Sequence, residues 1–170
     1  RKRAEARQRE LAEARLLRDR AFELAPTAAG QLDGESFEWL ADADMRLGPV
    51  LEAIINGKYY WIPFSRLSRL DFDAPEDLRD LVWLPVHLMF SNGGETVGLV
   101  PSRYVGSEAS ADGLLTLCRR TEWGEPQPGY FVGLGQRLLT SSTGDKPLLE
   151  VRRIEWPTAG ESTQTDISKS

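Results

Sequence analysis

The hydrophobic positions of the chain change period once, near residue 26. Before it, Leu11, Ala14, Leu17, Ala21 and Leu24 recur at three- and four-residue steps, with Leu16 and Phe22 widening the stripe. That spacing places them on one face of an α-helix. The segment has no Gly or Pro before Pro26 and is rich in Ala, Leu, Arg and Glu, all good helix formers. A helix is predicted over 1–26, with a stripe wide enough to need burial against the body or against other helices. Thr27–Glu35 holds two glycines among small residues, so 27–36 reads as a linker.

From Phe37 onward the pattern is that of short strands. Asn56-Gly57 lies between the apolar run Val50–Ile55 and the aromatic run Tyr59–Phe64. Both residues tolerate the positive φ of a type I′ turn, so a β-hairpin is predicted. Leu81–Phe90 and Glu95–Val100 flank Ser91-Asn92-Gly93-Gly94 as a second hairpin, and Pro85 suggests an edge or a bulge in its first arm. Short helical turns are expected at Phe64–Leu70 and Ala74–Leu81, and further strands at Leu114–Arg119, Tyr130–Leu139 and Leu148–Trp156. The polar stretch 158–170 reads as a flexible tail. The fold class expected is α+β: an N-terminal helix packed on a strand-rich, mostly antiparallel twisted sheet or small barrel spanning 37–157. The five tryptophans, Trp39, Trp61, Trp83, Trp123 and Trp156, are expected to anchor its core or line a groove, with core favoured.

Composition adds limits. At 170 residues, 41% hydrophobic and 28% charged, the chain is long enough for one domain with a real core. It shows neither an apolar run of membrane-spanning length nor a signal-peptide pattern. A single cysteine, Cys118, fits a reducing compartment, so a cytoplasmic location is expected. The chain begins at Arg1 without a methionine, and a region upstream of it is expected. Net charge is −5, divided as +3 over residues 1–24 and −8 over the rest. An acidic body argues against a general nucleic-acid binder, and the basic segment, with Glu5 and Arg9 at i, i+4 spacing, reads as a solvated helix face.

Reactive groups are few. His87 is the only histidine and lies in the apolar run Val86–Phe90, while Cys118 sits between Leu117 and Arg119. Nucleophilic catalysis by the two would require hydrogen-bond contact between them. Asp42 and Asp44 offer oxygen ligands to Mg²⁺ or Ca²⁺, but Arg46 competes for them, and the spacing is not that of a calcium loop. An ion pair fixing the loop before Gly48-Pro49 is the expectation. Gly133-Leu-Gly135 lacks the remaining glycine of a dinucleotide fingerprint, so no cofactor is expected. A hydrolase using Cys118/His87 or an Asp42/Asp44 metal site is the alternative to a non-enzymatic reading.

Longer motifs carry a resemblance. Trp39-Leu-Ala-Asp-Ala-Asp-Met-Arg-Leu-Gly-Pro-Val-Leu-Glu52 is followed by Asn56-Gly-Lys-Tyr-Tyr-Trp-Ile-Pro-Phe64 and Asp77-Leu-Arg-Asp-Leu-Val-Trp83. Val100-Pro-Ser-Arg-Tyr104, Arg120-Thr-Glu-Trp123 and Gly133-Leu-Gly-Gln-Arg137 complete the series. In this order they resemble the ImpE/TagJ family, accessory proteins of bacterial type VI secretion systems. The resemblance implies a non-enzymatic adaptor, with 1–26 as the end of a tetratricopeptide-like helical region. It implies protein partners: a helix of the contractile sheath's small subunit and, beyond it, the AAA+ ATPase that disassembles the sheath. Neither nucleic acid nor membrane is among them. Two surfaces are candidates for the partner helix: Leu11, Leu17, Phe22 and Leu24 on the helix, or Tyr59, Trp61 and Tyr104 on the sheet. The helix is favoured, since its stripe can pack helix against helix. Trp39, Asp42, Asp44, Arg46, Gly48, Pro49, Asn56, Gly57, Trp83, Arg103, Trp123, Gln136 and Arg137 are expected to hold the structure together.

Overall fold

The computed structural model describes residues 2–157, with the side chains of 2–8 and 11 left out. The helix α1 (Lys2–Leu24) forms as predicted, and Ala25 N–H closes its last turn on the Phe22 carbonyl at 3.2 Å. After it come β1 (Gly30–Leu32), β2 (Glu35–Phe37), β3 (Leu40–Asp42), β4 (Val50–Ile55), β5 (Lys58–Pro63) and β6 (Leu67–Phe72). Then follow β7 (Trp83–Phe90), β8 (Glu95–Pro101), the one-turn α2 (Gly113–Thr116), β9 (Thr121–Gln127) and β10 (Tyr130–Gly135). The last strands are β11 (Leu138–Ser141), β12 (Gly144–Pro147) and β13 (Arg153–Glu155).

Eight strands make one antiparallel sheet in the order β2-β1-β13-β6-β7-β8-β4-β5. β13 enters between β1 and β6, so the last strand joins the first hairpin to the rest of the sheet. The sheet curls until both ends reach one ring. Phe37, ending β2, meets Trp156 edge-on at 6.3 Å, and Phe64, just past β5, stacks on the same indole at 5.5 Å. Leu70, Leu84, Leu88, Val100 and Ile154 fill the concave side and are fully buried. A three-stranded sheet, β12-β11-β3, and the β9–β10 ribbon complete the body.

Both hairpins form where turn chemistry placed them. Asn56 and Gly57 have φ of 51° and 74°, and Ile55 pairs with Lys58 across the two-residue turn. Ser91–Gly94 joins β7 to β8.

Several expectations are corrected. The sheet is open and no closed barrel forms, since β2 and β5 stay as its two edges. Residues 30–37, expected within a linker or at its end, form a hairpin turned by Asp33 (φ 50°) and Gly34 (φ 86°). Leu114–Arg119 is the end of a short helix, capped by the Asp112 carboxylate on Leu114 N–H at 2.8 Å, and is not a strand. Tyr130–Leu139 is broken into β10 and β11 because Gly135 adopts φ +84°. Pro85 lies in an interior, unbulged pairing with Leu99, and β6 has ended opposite its missing donor, beyond the Phe72–Val86 pair. Among the tryptophans only Trp156 is buried. Trp61 and Trp83 occupy the outward positions next to buried Ile62 and Leu84, where strand alternation sends every second side chain to solvent.

The helix does not lie on the large sheet. Arg15, Arg18 and Phe22, at three- and four-residue steps, are the face turned to the body. The Arg15 and Arg18 guanidiniums stand 5.2 and 5.0 Å from the Tyr130 ring centre, and Arg15 also donates to Gln127 at 3.0 Å. The Phe22 ring covers Gly48, where any Cβ would come within 2.6 Å of it. Ala14, Leu17, Ala21 and Leu24 are left exposed, Leu17 at 65% and Leu24 at 75%. A helix turns one face at a time to its support, and here cation–π contacts and Phe22 hold that side. The Leu11 side chain and the 158–170 tail lie outside the described residues.

Candidate functional site

Asp42 closes β3, and its N–H donates to the Gly48 carbonyl at 2.7 Å, folding 42–48 into a compact loop. Inside that loop Asp44 is fully buried. Its Oδ1 accepts from Arg46 N–H at 2.8 Å and from Arg46 Nε at 2.9 Å. Its Oδ2 accepts from an Arg46 terminal nitrogen at 2.5 Å and from Gly133 N–H at 2.7 Å. The same Arg46 nitrogen donates to the Gly133 carbonyl at 3.2 Å. The pair therefore clasps both backbone groups of one residue of β10. Gly133 must be glycine there, since a Cβ would sit 2.3 Å from the Tyr104 ring.

Tyr104 is the second part of the cluster. It is 1% exposed; its hydroxyl donates to Asp42 Oδ1 at 2.8 Å and accepts from Leu138 N–H at 3.1 Å. Its backbone N–H reaches the Gly135 carbonyl at 2.9 Å. It is thus no partner-binding surface, which corrects the grouping with Tyr59 and Trp61. Arg137, also buried, lies 3.7 Å from Asp42 Oδ2, is paired with Glu52, and carries its guanidinium 5.6 Å from the Tyr104 ring centre. Glu52 in turn accepts from the Tyr59 hydroxyl, which accepts from Trp61 Nε1. A continuous polar chain so runs from the buried loop to the exposed edge strand.

Burial sets the electrostatics. It pushes the Asp42 carboxyl up to about 6, against the pull of Arg137 and the hydrogen bonds from Asp44 N–H and Tyr104. Burial likewise raises Tyr104, with the Asp42 charge adding to it, and lowers Arg137 despite Asp42 and Asp44. The hydrogen bonds to Asp44 hold Arg46 above its ordinary value. Every carboxylate oxygen of Asp42 and Asp44 already meets a cation, a backbone N–H or a hydroxyl. The arrangement is a structural clasp, and the Asp42/Asp44 metal alternative loses its free ligand positions to Arg46, Arg137 and Gly133. Among the described residues no group of three or more His, Cys, Asp or Glu is arranged to hold a metal ion.

The other predicted residues are distributed around this clasp. Gly48 and Pro49 line an apolar cleft of about 230 Å³ with Phe22, Trp39, Phe64 and Trp156. Arg103 donates to the Thr116 carbonyl at 2.7 Å and Gln136 to the Cys118 carbonyl at 2.7 Å, so both secure the α2 segment. Trp123 lies tilted on Tyr104 at 5.8 Å. His87 faces Glu95 at 3.3 Å, whereas Cys118 is buried under Arg103. Burial pushes the Cys118 thiol up to about 11, against the Arg103 charge, leaving it protonated and inert at neutral pH. The two reactive groups thus have different neighbours and form no dyad. Sequence reasoning missed Glu52, Ser107, Tyr130 and the pair Arg15/Arg18. An acidic residue between buried Leu51 and Ala53 was the available signal for Glu52. Ser107 Oγ, accepting from Gly135 N–H at 2.7 Å, gave none.

The molecule is thus an open, curled antiparallel sheet whose buried polar cluster serves as an internal clasp. The ImpE protein family model matches residues 34–155, and the chain belongs to that family. It is 46% identical over 143 residues to the type VI secretion system accessory component TagJ of Pseudomonas aeruginosa, covering 84% of this chain and 50% of TagJ. The crystal structure of a Vibrio parahaemolyticus protein superposes with a TM-score of 0.80 at 23% identity, over 89% of this chain and 56% of that one. The chain thus spans about half the length of the relatives it matches. No helix among the described residues is long and apolar enough to cross a membrane.

Proposed function

We propose that the protein is a non-enzymatic adaptor of type VI secretion in the cytoplasm. On this reading it binds an amphipathic helix of the sheath's small subunit and is linked through it to the AAA+ ATPase that disassembles the sheath. The observation that carries the binding mode is the uncovered row Ala14, Leu17, Ala21 and Leu24. Steps of three, four and three residues form the seam along which a second helix packs, its side chains set between those of the first. The body is acidic, and a basic partner segment would be steered to it at a rate that falls with salt. The 46% identity with TagJ supports the accessory role, and the carboxylates of the clasp are all engaged.

The test is a fluorescence titration with a labelled N-terminal peptide of the sheath small subunit. Saturable binding is expected, with a loss of tenfold or more, on the order of 1.4 kcal/mol, in Leu17→Asp. Equal binding by Leu17→Asp would move the site to the exposed Tyr59 and Trp61. No binding by this chain or by a longer one carrying the family's upstream region would overturn the adaptor reading.

A further inference from the structure

A free sheet edge exposes unpaired N–H and C=O groups and is normally shortened, charged or covered. The edge at β2 has three residues, beginning with Glu35. The edge at β5 is six residues long, and Lys58, Tyr59, Tyr60 and Trp61 are all exposed, with one charge among them. The turn fixes which backbone groups are free. Ile55 and Lys58 close a two-residue hairpin, and Phe64 N–H donates to the Pro49 carbonyl at 3.0 Å. Hydrogen-bonded pairs alternate between these ends, so Lys58, Tyr60 and Ile62 face β4 while Tyr59, Trp61 and Pro63 face outward. Pro63, which has no N–H, occupies an outward position.

We propose that β5 is a homodimer interface, pairing antiparallel with β5 of a second copy about a two-fold axis through Tyr60. The register is dictated by the donors. Tyr59 and Trp61 are the two outward residues with both backbone groups, and setting Tyr59 opposite Trp61 of the second copy lets each pair exchange two hydrogen bonds, four in all. Shifting by one residue to either neighbouring two-fold register opposes outward groups to inward ones; shifting by two sets Pro63, without a donor, opposite Tyr59 in one direction, and Trp61 opposite the turn residue Gly57 in the other. In the chosen register, Trp61 and Tyr59 cross the seam as aromatic pairs on the convex face, and Tyr60 meets itself on the other. Lys58 lies opposite Ile62, so no like charges oppose each other. Glu52, beneath the aromatic pair, is already engaged by Arg137 and Tyr59.

The area sets the strength. Tyr59, Tyr60 and Trp61 are 57%, 43% and 55% exposed. Covering half of six such side chains removes about 600 Å², and backbone with flanks brings this toward about 1,000 Å², the lower end for a specific interface. The dimer is therefore concentration-dependent.

The experiment combines sedimentation velocity over about a hundredfold concentration range with disulfide trapping. In this register the Tyr60 Cα atoms lie about 4.5 Å apart, within disulfide reach, whereas Tyr59 lies about 8 Å from its own copy, beyond it. Tyr60→Cys should cross-link under mild oxidant and Tyr59→Cys should not, with the unsubstituted chain, whose single Cys118 is buried, giving the background. Tyr60→Lys should stay monomeric at concentrations where the unsubstituted chain dimerises. A chain monomeric throughout, equal trapping at positions 59 and 60, or unchanged dimerisation of Tyr60→Lys would each overturn the proposal.

Discussion

Arg46 holds Asp44 through a backbone N–H and two side-chain nitrogens, and Asp44 holds Gly133 across 89 residues of sequence at 2.7 Å. Asp44 has no exposed surface, while about a third of the Arg46 side chain reaches solvent. The asymmetry matters: losing the arginine strands a buried charge, whereas losing the carboxylate frees an arginine that water can reach.

Arg46→Ala is expected to destabilise the fold by about 3–5 kcal/mol, as when one partner of a buried pair is removed. Adding Asp44→Asn should recover more than about 1 kcal/mol of this in a double-mutant cycle by urea unfolding. Calorimetric titration of the unsubstituted protein with Mg²⁺ or Ca²⁺ should show no saturable heat. Additive losses, or micromolar binding of either ion, would refute the clasp.

Asp42 makes stability depend on pH. Its carboxyl titrates near 6 in the fold, above its ordinary 3.8, because burial disfavours the charge. Its contribution is therefore fully present below about pH 4 and is lost as the pH rises through about 6, a change of about 3 kcal/mol. Asp33 and Asp71 run the other way. Burial raises both, but Lys146 and the Arg152 and Arg153 amides outweigh it at Asp33, and Arg153 and Arg69 at Asp71. Subtracting Asp42→Asn isolates the Asp42 part. The stability difference between the two proteins should fall between pH 4 and 7, and a constant difference would contradict the assignment.

The tryptophans should separate sharply in a substitution series. Trp156→Ala removes the ring between Phe37 and Phe64 and is expected to cost about 3–5 kcal/mol. Trp83→Ala, at an outward position, should cost well under that. Gly133→Ala drives a methyl group into the buried Tyr104 ring and should cost about 1–3 kcal/mol. Chemical denaturation ranks the three, and a Trp83 cost equal to that of Trp156 would refute the curled-sheet core.

What could be read from the chain follows the range of the interaction. Asn56-Gly57 and the alternation around it are local, so the β4–β5 hairpin was legible, its first arm to the residue and its second one position off. The Asp44–Arg46 pair, two positions apart, was also legible, whereas Tyr104 and Arg137, the partners of Asp42, lie far along the chain. Asp33-Gly34 was equally local, yet small neighbours made its short strands look like a linker. The tryptophans failed because residue type does not say which side of a strand faces the core; alternation with Ile62 and Leu84 does. Glu52 with Arg137, and Arg15 and Arg18 with Tyr130, join segments 85 and more than 110 residues apart. Nothing within either segment names the other.

The central claim is that the partner meets α1 while the clasp only holds the body together. Hydrogen–deuterium exchange of the chain, with and without the sheath small-subunit peptide, tests it most directly. The account predicts peptide-dependent protection of amides over 14–24 and unchanged exchange over 42–46 and 133–137. Protection confined to those clasp segments, with none on the helix, would contradict it.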